Sequence, residues 1–327
     1  MQILGNLFYA LLYVSFIGGM FTVLSLFAGH VLGLAVPLWF SAGCMVFYAV
    51  PFLSADVVLL PPERQLWGDG FWIALGIWLC GCLLCLAGSA VRLWLAGRAV
   101  RACLPCRDKR LNDLADLCAD MLGFQKRPPL LWGTLDDPVC VAGAVRPAIL
   151  LRKPVAERLT DQELLAVFAH ELTHIKRRHL LLTRVCFLVC AANWFNPLVW
   201  LAKKEVSLRC ETDCDEQTLA ALGGKISKKE YASAVLRILE LSAHLPGKSG
   251  AGMGAASFFL TKQRIRQMLA GTSKRKRAAI GALLAGLLLL TVWFSMWFGR
   301  QHFYPYPAYN SGAEYSGAVY PGLRVFV

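Results

Sequence analysis

Charge is what this chain has least of. Charged residues make up 17% of its 327 residues and hydrophobic ones 57%, and no charged side chain occurs between Met1 and Ala55. Intrinsic disorder is excluded, because disordered chains are polar and highly charged. An ordinary soluble domain is excluded for the whole chain, since such domains carry about 25% charged residues. A signal peptide alone does not account for the run, which is too long, lacks a basic start and is followed by further apolar stretches. A Gly-rich phosphate loop is absent, as is a second C-x-x-C that would complete a structural zinc site with Cys103 and Cys106. No cysteine falls in the stretch 54–69 or after Arg300. The twelve cysteines therefore read as free thiols, with a redox role for Cys103 and Cys106 as the minority reading.

The apolar excess is organised into spans. Four stretches reach the roughly 20 residues that cross a hydrocarbon core: Ile3 to Ala28, Val31 to Leu53, Phe71 to Val91 and Ala278 to Phe298. In lipid they are expected to be helices. Gly29 and His30 read as a tight link between the first two. Basic residues cluster after the third span (Arg98, Arg101, Arg107, Lys109, Arg110) and before the last (Lys262, Arg264, Arg266, Lys274, Arg275, Lys276, Arg277). Both clusters are predicted to be cytoplasmic, leaving the N-terminus and the tail outside. The net charge of +13 is then an orientation signal, and direct nucleic-acid binding is not expected.

The expected organisation is three N-terminal transmembrane helices in 1–97, a cytoplasmic domain in 98–277, a final transmembrane helix in 278–299 and a short extracytoplasmic tail in 300–327. A fifth apolar stretch, Val185 to Ala202, contains Asn193 and Asn196-Pro197. Asn-Pro breaks helices, so the stretch is either a marginal span or a re-entrant hairpin.

The cytoplasmic region carries the chemistry. Residues 111–123 have helical apolar spacing. Leu130 to Trp132, Val139 to Val141 and Ala148 to Leu151 read as short strands. Thr160-Asp-Gln-Glu163 is a capping box that opens a helix. On that helix lies AHELTHIKRRH. His170 and His174, four residues apart, project from one face, and their neutral imidazoles suit a tetrahedral Zn²⁺. Glu171, between them, is placed to take a proton from a water that zinc acidifies. This is the H-E-x-x-H pattern of zinc peptidases. His179, five positions after His174, reads as turned away, a solvated or interfacial histidine.

A catalytic zinc needs a third protein ligand. The run EVSLRCETDCDEQTLA offers Glu205, Glu211, Asp213, Asp215 and Glu216. Glu211 and Asp215 share a helix face, so one could ligate while the other braces an imidazole. Spacing alone does not rank Glu211 above Glu205. A full crossing by Val185 to Ala202 would put these acids on the opposite side from His170. A hairpin keeps them together, and it is the reading adopted. Tyr231 is an oxyanion candidate only by its position after the site.

HELTHIKRRH, NWFNPLVW, CETDCDEQTL and PVCVAGAVRPAILL together resemble the BlaR/MecR-type antirepressor membrane metallopeptidases, over about residues 3–300. The resemblance implies a gluzincin-like α+β zinc metallopeptidase domain inserted in a multi-pass α-helical protein of the bacterial plasma membrane. It implies zinc ligands at His170, His174 and Glu211, a base at Glu171 and a supporting acid at Asp215. It also implies a protein substrate such as a transcriptional repressor, and self-cleavage in the cytoplasmic linker, here near Ser257 and Phe258. Only 27 residues follow Arg300, too few for the penicillin-binding sensor domain of full-length sensors. Three other functions compete with a signalling zinc endopeptidase. One is a housekeeping membrane protease, and one is a non-catalytic scaffold or receptor in which zinc merely joins helices. The third is a transporter, disfavoured because the spans lack charged residues.

Overall fold

In the computed structural model, residues 2–32, 34, 36–49, 69–133, 138–143, 146–243, 264–266, 275, 278–287, 289–290 and 293 are described. The uncharged N-terminal run forms α1 (Gln2–Leu26), which continues through a π-helical turn, Phe27–Val31. The chain then bends and restarts at Pro37 as α2 (Leu38–Val46). Two expectations change here. Gly29 and His30 lie inside the π turn, which keeps the backbone hydrogen-bonded, so they do not form the link. The second helix has only nine described residues, or about 14 Å at 1.5 Å per residue, because Pro37 delays its start.

The third apolar stretch is longer than predicted: α3 runs Asp69–Arg101 and includes the basic Arg98 and Arg101 in its last turn. Its Gly70–Arg101 portion is, among the described residues, the one helix long and apolar enough to cross a membrane. Ile73, Leu83 and Leu84 on it are more than 60% exposed, a surface suited to hydrocarbon rather than water. Val14–His30, His179–Ala192 and Ala278–Leu287 are shorter apolar helices. The tail and the segment carrying Ser257 and Phe258 lie outside the described residues, as does most of the loop 54–69.

After β1 (Leu104–Pro105), Asp108 caps α4 (Lys109–Met121), its side chain accepting from the Leu111 N–H at 3.2 Å. The strands β2 (Leu130–Trp132), β3 (Val139–Ala142) and β4 (Ala148–Leu151) follow, at almost the bounds expected. The sheet order is β1-β2-β4-β3, with only β2 and β4 parallel. A short α5 (Lys153–Ala156) leads to α6 (Asp161–Lys176), whose capping box is formed in both directions. One hydrophobic core packs the buried Leu111 and Cys118 of α4, Ile149 and Leu151 of β4, and Leu164, Phe168 and Leu172 of α6. The sheet and α4 thus hold the inner face of α6, which leaves its histidines facing the other side.

Arg178 then adopts a left-handed conformation (φ 54°, ψ 35°), the one non-glycine residue to do so among those described. It separates α6 from α7 (His179–Ala192) and breaks the helical path between them. Residues 193–196 form a turn, and Pro197 starts α8 (Pro197–Ala221), capped by the Asn196 side chain, which accepts from the Leu198 N–H. Cys190 lies against Val199 and His179 against Cys214, so α7 and α8 run antiparallel. The chain breaks and turns back at Asn-Pro, between arms that extend beyond 185–202 at both ends. Its turn is tied to all three apolar helices or their ends. The Asn196 amide donates to Ser15 in α1, and the Asn193 amide to the Tyr48 carbonyl just after α2. The Trp194 indole donates to the Trp78 carbonyl in α3. Finally α9 (Lys228–Ala243) closes over α6.

Candidate metal centre

The polar face of α6 meets the middle of α8. His170 Nε2 and His174 Nε2 are 3.1 Å apart, because a four-residue step stacks one imidazole a turn above the other. Glu211 of α8 faces both, with Oε2 3.4 Å from His170 Nε2 and Oε1 3.5 Å from His174 Nε2. Zinc–nitrogen and zinc–oxygen bonds of about 2.0–2.2 Å in a tetrahedron place ligand atoms roughly 3.3 Å apart. Measured to the nearer Glu211 oxygen in each case, the separations are close to those a zinc ion needs, and the chemistry of the three residues fits it. The imidazoles are mostly buried, whereas Glu211 keeps 36% of its side chain open to solvent. A three-ligand site with one open side is the catalytic arrangement. Glu171 follows His170 on α6 and is half-buried.

A second layer surrounds His170. Its Nδ1 lies 2.9 Å from the Tyr231 hydroxyl and 3.3 Å from Asp215 Oδ1. The Tyr231 hydroxyl donates to Asp215 Oδ1 at 3.0 Å. Arg264 grips the same carboxylate twice, from Nε at 3.0 Å and from Nη2 at 2.7 Å, and its Nη1 lies 3.0 Å from Glu211. Asp215 is fully buried. Burial alone would raise its pKa, but Arg264 and His170 hold it down at about 2. Burial would push His170 down, yet Asp215 and Glu211 hold it up at about 9. Glu211 stays well below the ordinary carboxylate range because His170 and His174 overcome its burial. Burial, and then Asp215, keep Tyr231 a neutral phenol. The electrostatics are those of a pocket that favours a cation between the imidazoles and Glu211.

The structure thus brings His170, His174, Glu211 and Asp215 together. Glu205 is elsewhere. It is buried against Arg209, at 2.5 Å from Nη2, and its Oε2 lies 3.1 Å from His30 Nε2. Asp213 pairs with Arg177. Two site residues carried no usable sequence signal: Arg264 was legible only as one charge in a basic run, and Tyr231 only by its position. His179 is a correction. It is 3% exposed, and its Nδ1 lies 3.3 Å from His174 Nδ1. The five-residue spacing implied that it turned away, but that holds only for an unbroken helix, and the turn at Arg178 folds it back. The cysteines are free thiols, and burial raises Cys103 and Cys106 above the ordinary thiol range.

Comparison with known proteins points the same way. The family model for BlaR1 peptidase M56 matches residues 61–268. The "Regulatory protein BlaR1" of Bacillus licheniformis is 27% identical over 218 residues, which is 65% of this chain and 36% of that protein. The "Methicillin resistance mecR1 protein" of Staphylococcus aureus is 27% identical over 168 residues, 51% of this chain and 28% of the relative. A protein of the same description from Staphylococcus epidermidis matches equally. The chain spans about a third of the length of these curated relatives.

Proposed function

The chain belongs to the BlaR1 peptidase M56 family, and from that premise we propose that it is a membrane zinc endopeptidase that transmits a regulatory signal by cutting a cytoplasmic or membrane-proximal protein. The observation that carries this reading is the convergence of His170 Nε2, His174 Nε2 and a Glu211 carboxylate with one side open. These three residues would hold the ion. Bound zinc supplies Lewis acidity, which acidifies a water and polarises a peptide carbonyl.

The chain's own residues do the remaining work. Glu171 takes the proton from the attacking water and returns it to the departing amine. Tyr231 accepts from His170 Nδ1–H and donates its own hydroxyl hydrogen bond to Asp215, which fixes the tautomer that leaves His170 Nε2 free to ligate. Arg264 holds Asp215 as a carboxylate in a buried position and limits the negative charge around Glu211.

In the membrane, 1–97 and 278–299 contribute four crossings, and 98–277 forms the cytoplasmic domain. The hairpin at 185–202 dips into the bilayer, which its ties to the apolar helices support. A transcriptional repressor is the substrate class that the antirepressor relatives suggest, and the chain's own linker at Ser257–Phe258 is a second target. The test uses purified full-length protein. Glu171→Gln should keep its zinc while losing cleavage by the roughly 10²–10⁴-fold that general base catalysis contributes. Unchanged cleavage by the variant, or a wild-type protein that retains no zinc, would end the peptidase reading. An internal fragment that persists in the variant would end the self-cleavage.

A further inference from the structure

His174 has two ring nitrogens, and only Nε2 faces Glu211. Its Nδ1 points the other way, to His179 Nδ1 at 3.3 Å. His179 in turn is boxed in. The Cys214 thiol lies 3.3 Å from the same Nδ1. Its Nε2 is buried and has no formed hydrogen bond among the described residues, with Asp213 Oδ2 3.4 Å away. Asp213 is held by two Arg177 nitrogens, at 2.9 and 3.1 Å. The arrangement mirrors the one around His170, where Tyr231, Asp215 and Arg264 follow in the same order: hydrogen-bonding ring, carboxylate, guanidinium.

We propose that His179 is a positioning residue for the metal centre, accepting the Nδ1 proton of His174 and so presenting His174 Nε2 to the ion in one tautomer and one ring orientation. This rests on the peptidase reading and extends it to a residue outside the H-E-x-x-H motif. The tautomers follow by elimination. A neutral imidazole that ligates through Nε2 carries its proton on Nδ1. Among the described residues, the nitrogen in front of that proton is His179 Nδ1, which must then be the bare one. His179 consequently carries its own proton on Nε2, facing the Asp213 carboxylate. The lone pair of His179 Nδ1 is taken by His174, the Cys214 thiol packs beside it, and the row ends on an anion already neutralised by Arg177. The left-handed Arg178 makes this possible, since an unbroken helix would carry His179 away from His174.

The test compares zinc affinity by chelator competition, on the full-length protein in detergent, for three single variants. His179→Leu keeps the bulk and removes the acceptor. It should weaken zinc binding by about 10–100-fold, the range found for lost outer partners of ligand histidines. His179→Asn places an amide oxygen near the Nδ1 position and should restore affinity to within about threefold of wild type. Should the Leu variant not fold, the Asn variant decides alone, and a loss of about tenfold or more there overturns the proposal. Equal affinity of His179→Leu and wild type also overturns it.

His174, His179 and Cys214 are close enough to form a second metal group, which gives a further discriminating outcome. Two zinc ions per wild-type chain, falling to one in Cys214→Ala, would make His179 a ligand instead of a positioning residue. One zinc per chain, with Cys214→Ala unchanged, supports the proposal. A wild-type protein without zinc fails the peptidase reading and this inference together. One zinc per chain with an insensitive His179 fails this inference alone.

Discussion

Two carboxylates on α8, Glu205 and Glu211, began as equal candidates and end in opposite roles. They are six residues apart, which on a helix separates them by about 9 Å along the axis and about 240° around it. Glu205 turns toward the N-terminal helix and is used up by Arg209 and His30. Glu211 turns toward α6 and faces two imidazoles, with part of its surface open. Residue type and helix are the same in both cases. Each carboxylate touches an arginine, Arg209 at Glu205 and Arg264 at Glu211, so what differs is the remaining company: one histidine at Glu205, a stacked pair with one side open at Glu211. An Arg one turn away makes a closed structural pair, and histidines whose protons can be displaced make a place for an ion.

The comparison breaks if the two variants behave alike. Glu211→Ala should reduce zinc affinity by more than the roughly 100-fold that an outer partner contributes, with little change in the thermal midpoint of the metal-free protein. Glu205→Ala should do the reverse. It strands Arg209, only 2% exposed, and removing one partner of a buried pair costs about 3–5 kcal/mol. Thermal unfolding in detergent alongside chelator competition separates the two.

Acid sharpens the contrast from the metal side. The Asp215 carboxylate is held at about 2 by Arg264 and His170 against its burial. A carboxylate depressed in the fold stabilises above its unfolded pKa of about 3.9 and loses that contribution as the pH falls through the folded value. The midpoint of the metal-free protein should therefore show no loss from this pair between pH 7 and 5. It should fall between about pH 4 and 2. Arg264→Leu should lower the midpoint at neutral pH and flatten the acid fall. The smallest effect is a control remote from both carboxylates. Thr160→Ala removes the α6 cap and should cost about 1 kcal/mol while leaving zinc affinity within error.

Local signals carried much of this outcome. The capping box, the three short strands and the Asn-Pro break are written in neighbouring residues, and each formed close to where those residues put it. His170 and His174 were legible for the same reason, since a four-residue step needs only an intact helix. Glu211 was not separable from Glu205 by spacing, because helix phase does not say which face meets which partner. Its rank came from the family resemblance. Arg264, 53 positions after Glu211 in the sequence, reaches the site only through tertiary packing, and nothing beside it marks it from the other basic residues. His179 was misjudged because a left-handed arginine is rare in a sequence that otherwise continues helically.

The α8 rod itself has a consequence. After Pro197 it holds neither proline nor glycine up to Ala221, so it has none of the usual places to flex. One end is pinned among uncharged helices by Asn196 and, a few turns on, through Glu205 and His30. Farther along, the same rod delivers Glu211 and Asp215. A displacement of the greasy end is therefore carried to the end that bears Glu211 and Asp215 as movement of a lever rather than as bending of a spring.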